Sequence, residues 1–150
     1  MALDQSFIGR SYPPTSTYEV SREKIREFAD AIGDTNPVFH DIEAARAAGY
    51  PDVIAPPTFV TVINIPAVNT VVADPELGLD YSRMVHGDQA FSYTRPVHAG
   101  DKLAIAVTID DIMDRAGNDF LTVRADLTAE DGELVCTTCA QLVVRREDAS

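Results

Sequence analysis

The spacing of apolar positions changes about halfway along the chain. After Ser21, the residues Ile25, Phe28, Ala29 and Ile32 recur at three- and four-residue steps. That predicts a helix over 22–32, capped by Ser21 and stopped by Gly33. The polar run Asp34-Thr-Asn-Pro37 follows. A residue before proline avoids helical angles, so the chain must leave the helix in a tight bend. Asp41 then caps a short alanine-rich helix ending at Gly49. From Thr58 to Val72 apolar residues occur nearly all round, the pattern of a helix enclosed by other structure. Pro57 falls near its first helical position, and Pro66 is expected to kink or split it. A short strand is expected over 16–20.

Beyond residue 90 the period falls to two. The runs 90–94, 102–112, 120–128 and 134–144 alternate or carry β-formers, with Leu103, Ile105, Val107 and Ile109 on one face and Leu121, Val123, Ala125 and Leu127 on another. Arg115-Ala-Gly-Asn118 and Ala129-Glu-Asp-Gly132 supply the turns. The fold class is therefore α+β, with helices first and then an antiparallel sheet long enough to wrap a single buried helix. One domain spans 1–150, with an ordered core from about residue 7 to 144 and a frayed tail over 147–150.

Charge narrows the partners. The 150 residues carry 24 acidic and 12 basic side chains, a formal charge of -12. Nucleic acid requires a basic face that replaces counterions around phosphates, so the balance argues against it as a partner, and against docking on an anionic membrane surface, short of a local basic patch. No leader peptide is apparent at the N-terminus, and the longest mostly apolar stretch is too short for a span. Cys136 and Cys139, three apart in a strand, point to opposite faces and read as ordinary strand thiols in a reducing cytoplasm. Three scattered histidines show no metal-ligand spacing.

The chemistry-bearing stretch is Gly33-Asp-Thr-Asn-Pro-Val-Phe-His-Asp41. Across a proline-containing bend, Asp34 and His40 can be brought together to hold and deprotonate a water, with Asn36 adding an orienting hydrogen bond. The plainer alternative is turn chemistry: Asp34 closing an Asx-turn, Asn36-Pro37 turning the chain, and His40 lying on the surface before a helix cap.

The helix, the segment G-D-x-N-P-x-x-H-D, Ala55-Pro-Pro-Thr-Phe59 on the apolar helix, and Arg95-Pro-Val-His-Ala-Gly-Asp101 occur in that order. Together they resemble the MaoC-like dehydratase and (R)-specific enoyl-CoA hydratase superfamily over about residues 7 to 144. The resemblance implies a single hotdog fold, an antiparallel sheet wrapped around a long central helix. It also implies hydration of trans-2-enoyl thioesters, or dehydration of 3-hydroxyacyl thioesters, without a cofactor. Asp34 and His40 match the catalytic pair and Asn36 the motif asparagine, with Asp34 as base. The Asp34-to-His40 interval is one residue longer than in the characterised hydratases. Pro56-Pro57 replaces their histidine-glycine pair, whose glycine N–H binds the oxyanion; the Thr58 backbone N–H is the substitute.

Phe59, Val62 and Ile63 are candidates to line an acyl tunnel, the alternative being plain core packing. Arg83 and Arg95 are candidates for the phosphates of coenzyme A, the alternative being ion pairs with Asp80 or Asp101. The implied partner is an acyl-CoA or acyl carrier protein thioester, with CoA favoured because carrier proteins share the chain's negative charge. A homodimer is expected. The alternatives are a non-catalytic, tunnel-building subunit of a heterodimeric dehydratase, and a thioesterase.

Overall fold

A computed structural model describes residues 2–14 and 16–147. Helix α1 (Arg22–Ala31) begins where Ser21 Oγ accepts the Lys24 N–H at 3.1 Å, and buries Ile25 and Ala29. It stops at Gly33, whose φ of +72° is the left-handed angle that ends a helix at glycine. A single 3₁₀ turn, Pro37–Phe39, then leads into α2 (Ile42–Ala47), capped by Asp41. These features follow the sequence closely.

The third helix does not. It was expected from Thr58, but α3 runs Thr61–Val72. Pro56 and Pro57 lack N–H groups, and a residue followed by proline is pushed out of helical angles. The chain therefore enters through turns in which Phe59, Thr61 and Val62 each donate to the carbonyl three residues back. Pro66 does not split the helix, which is continuous to Val72. Nor is α3 enclosed on all sides. Ile63, Asn64, Ala67, Val68, Val71 and Val72 are buried, while Ile65, Pro66, Asn69 and Thr70 are exposed.

The sheet has six antiparallel strands: β1 (Ser11–Tyr12), β2 (Tyr18–Glu19), β3 (Met84–Tyr93), β4 (Lys102–Arg115), β5 (Asn118–Thr128) and β6 (Leu134–Arg145). Their order is β1-β4-β5-β6-β3, with β2 also on β4. The predicted inner faces of β4 and β5 are the core, with Leu103, Ile109, Leu121, Val123, Ala125 and Leu127 fully buried. A bulge between Ile109 and Asp111 resets the alternation so that Ile112 also points inward. Ala116 (φ +52°) and Gly117 (φ +79°) make the two-residue β4–β5 turn. The sheet packs on α3, giving the hotdog arrangement as one domain.

Polar groups also lie inside this packing. Asn64 of α3 donates to Thr138 Oγ1 of β6 at 3.0 Å, leaving Asn64 Oδ1 without a partner among the described residues. Asp119, on the inner face of β5, accepts the Leu3 N–H at 3.2 Å. Glu147, expected to fray, pairs with Arg83 at 2.9 Å; residues 148–150 lie outside the described residues. Among the described residues no helix is long and apolar enough to cross a membrane.

Candidate functional site

The bend is held by its own side chains. Asp34 Oδ1 accepts the Asn36 N–H at 3.0 Å, and Asn36 Oδ1 accepts the Val38 N–H at 3.2 Å. Pro37–Phe39 then turns so that the Asp41 N–H reaches the Pro37 carbonyl at 2.8 Å. This places the His40 ring over the start of the bend, half-buried, with Nε2 2.9 Å from the Asp34 main-chain carbonyl. A carbonyl only accepts, so Nε2 carries a proton and donates it there. The other ring nitrogen, Nδ1, lies 4.0 Å from Asp30 Oδ1. Asp34 and His40 are thus brought together, as the spacing suggested, but through the backbone of Asp34.

Thr58 is exposed in the turns ahead of α3, three residues short of its first turn. Its N–H has no hydrogen-bond partner among the described residues. It does not stand at the helix N-terminus, where aligned N–H groups favour negative charge.

Next to the bend lies a cavity of about 390 Å³, lined by Phe39, Ile54, Ala55, Pro57 and the run Tyr93–Pro96. Phe39 immediately precedes His40, so the cavity abuts the bend. The Tyr93 hydroxyl donates to the Pro57 carbonyl and ties the end of β3 to the head of α3. Burial pushes the Tyr93 phenol well above its ordinary value, and neighbouring Cys136 adds to the shift. Arg95 is clamped by two carboxylates. Its Nη1 and Nη2 donate to Asp101 at 2.9 Å each, and its Nε to Glu133 at 2.6 Å. The Asp101 bonds raise the Arg95 guanidinium further above its usual range, against the opposing effect of burial. Burial would raise the Asp101 carboxyl in turn, but Arg95 and the His98 N–H outweigh it and hold the group below its ordinary value.

The remaining predicted residues are distributed differently. Phe59 and Ile63 are core residues at 0% and 5% exposure, and Val62 is half-buried; none of the three lines the cavity. Arg83 pairs with Asp80 at 3.4 Å as well as with Glu147, so both arginines adopt the ion-pair alternative. Sequence reasoning missed Phe39, Ile54 and Tyr93. The signal was there for Phe39, which with Val38 forms an apolar pair in an otherwise polar bend.

A sheet folded against one helix, with a polar bend and an apolar cavity ahead of that helix, defines the class: a MaoC-like hotdog protein. The chain belongs to the FAS1-like, dehydratase domain region family, whose model matches residues 6–138. A relative from Saccharopolyspora erythraea, named UPF0336 protein, is 63% identical over 145 residues, 97% of this chain and 93% of its own. The fold of a MaoC-like dehydratase matches with a TM-score of 0.88 at 32% identity over 95% of this chain. That match covers only 43% of the dehydratase, so this chain spans less than half its length. The truncated HadBC (3R-hydroxyacyl-ACP dehydratase) complex from Mycobacterium tuberculosis matches with a TM-score of 0.83 at 34% identity, covering 91% of this chain and 96% of that one.

Proposed function

We propose that the chain is one hotdog of a two-hotdog (R)-specific hydro-lyase interconverting trans-2-enoyl and 3-hydroxyacyl thioesters. In this reading it builds part of the acyl-binding cleft, and a second, different hotdog supplies the acid–base pair. Hydration adds water oxygen to the β-carbon and a proton to the α-carbon. It therefore needs a base facing that water and N–H donors for the enolate-like thioester oxygen.

The observation that carries the reading is the His40 ring. Its Nε2 proton is committed to the Asp34 carbonyl and its other nitrogen faces Asp30, which supports a ring that does not share a water with the Asp34 carboxylate. Pro57 has no N–H to replace the lost glycine donor. The need for a second hotdog is supported by β3, which among the described residues pairs only with β6 and leaves its other edge open, and by the exposed face of α3. It is supported too by the likeness to one chain of the HadBC complex and to under half of a longer dehydratase. The unpaired cysteines Cys136 and Cys139 fit a reducing cytoplasm.

A second reading keeps Asp34, Asn36 and His40 as the catalytic set of a homodimer with Thr58 as oxyanion donor. It is favoured by the shared bend and by Asp34 Oδ2, which has no hydrogen bond among the described residues.

The test follows loss of the conjugated enoyl absorbance and release of free thiol when the purified chain meets a short enoyl-CoA, alone and with a co-expressed MaoC-like hotdog. The chain alone should be inactive and the pair active without thiol release. In the active pair, Asp34→Asn and His40→Ala in this chain should change kcat by less than about threefold, where a catalytic acid or base contributes 10²–10⁴. Turnover by the chain alone, lost in Asp34→Asn, would establish the second reading instead. Thiol release would make the protein a thioesterase.

A further inference from the structure

The outer face of the sheet carries a row of hydrocarbon near the β4–β5 turn. Ile112, Leu121 and Leu142 point into the core, so their strand neighbours Met113, Phe120 and Val143 point outward. Met113 lies opposite Phe120, Phe120 opposite Val143, and Val143 opposite Val85 of β3. Met113 and Val85, at the two ends, are 49% and 54% exposed. A side chain at Gly87 would come within 3.0 Å of Val143 Cγ2, so the glycine leaves the β3 end of the row uncovered. The row crosses four strands, a length of about 14 Å.

Charge lies unevenly beside this row. Two residues closer to the turn, on the same face, stand Arg115 of β4 and Arg145 of β6, both exposed, with Asn118 of β5 between them. Of the 12 basic side chains in the sequence, these are the two with no ion pair among the described residues. The nearby carboxylates are engaged by other arginines: Asp114 by Arg146, and Glu147 by Arg83 at 2.9 Å. The opposite flank of the row is Asp111, Thr122 and Gln141, with no cation among them. Hydrocarbon bordered by cations on one side only is an exception on a chain whose formal charge is -12.

We propose that this face docks an acidic amphipathic helix of another protein. Its dimensions set the pattern of that helix. Arg115 and Arg145 are two strand steps apart, about 10 Å, which is the rise of about seven helical residues, so carboxylates at i and i+7 meet both arginines. Apolar side chains on the adjoining stripe, spread over about ten residues, cover the row from Met113 to Val85. Asp111 repels a second acidic flank, so the helix is acidic on one side only and lies in one direction. The face is turned away from α3, and Val85 stands at the far end of β3 from Tyr93 of the cavity, about 25 Å along the strand. The docked helix therefore tethers a partner without entering the cleft, and the proposal stands apart from the assignment of the acid–base pair. The contact area is small, which makes the association transient.

Fluorescence anisotropy of the full chain tests this with two labelled helical peptides of about 14 residues. Both carry a leucine stripe; one has glutamates along a single flank, the other lysines at the same positions. The glutamate peptide should bind, more weakly as salt is added, and the lysine peptide about tenfold more weakly or less. Arg115→Glu with Arg145→Glu should reverse that order. Phe120→Ser should weaken the glutamate peptide about tenfold, and Met113→Ser, at an exposed position, serves if the first variant does not fold. Equal affinity for the two peptides, or an unchanged order in the charge-reversed chain, would overturn the proposal. Displacement of the glutamate peptide by phosphatidylglycerol vesicles would overturn it too, making this a lipid-facing surface. Self-association in sedimentation that the charge reversal abolishes would give the face to a second copy of the chain instead.

Discussion

The bend at Gly33–Asp41 and the turn at Arg95–Asp101 flank the same cavity, and each holds two charged residues, a histidine and a proline. They use their carboxylates in opposite ways. In the bend, Asp34, Asn36 and Asp41 each accept a backbone N–H two residues ahead, and the segment stays largely exposed. In the turn, Asp101 is 7% exposed, takes both ends of the Arg95 fork and the His98 N–H, and anchors a guanidinium that reaches Glu133, 38 residues away. The first set shapes only its own loop; the second locks a cavity wall to the sheet. The same residue types thus cap backbone N–H groups in one place and form a buried ion pair in the other.

Breaking the turn should cost most. Asp101→Ala leaves Arg95 without its main partner and should lower stability by about 3 kcal/mol, read from urea unfolding. The same contact sets a pH dependence. Asp101 is held below its ordinary 3.8, so the stability it contributes is complete above that value and is lost as pH falls through the lower, folded-state value. Asp101→Asn should flatten the acid limb of a stability-against-pH curve; an unchanged limb would place the acid sensitivity elsewhere. In the bend, Asn36→Ala removes the cap on Pro37–Phe39 and should cost about 1 kcal/mol. Asp34→Asn keeps an acceptor for the Asn36 N–H and should stay within about 0.5 kcal/mol of the parent protein. A larger loss in Asp34→Asn than in Asp101→Ala would reverse the contrast between the two segments.

Much of this architecture was legible because short-range rules decide it. Ser21, Gly33, Asp41 and the alternation of Leu103–Ile109 and Leu121–Leu127 read directly into caps and inner faces. The late start of α3 was hidden because hydrophobicity continues through Thr58–Val60 while the two prolines delay the backbone. The open face of α3 was hidden for a related reason: the apolar pattern shows which residues avoid water, not how far one chain can cover them. The site was legible in position only. Spacing brought His40 to Asp34, but it could not say that the ring meets a carbonyl. The cavity was not legible at all, since Phe39, Ile54 and Tyr93 come from three distant segments joined by the fold.

The Asn64–Thr138 contact has a consequence for how α3 is seated. The other buried residues of that helix are Ile63, Ala67, Val68, Val71 and Val72, smooth hydrocarbon that would pack nearly as well after a small slide or roll. One amide facing one hydroxyl across the interface removes that freedom. Any other setting would strand both groups in hydrocarbon, at about 1–3 kcal/mol for each. Asn64 therefore acts as an alignment key: it gives up some stability, through its unpaired oxygen, to fix the angular setting of α3 on the sheet.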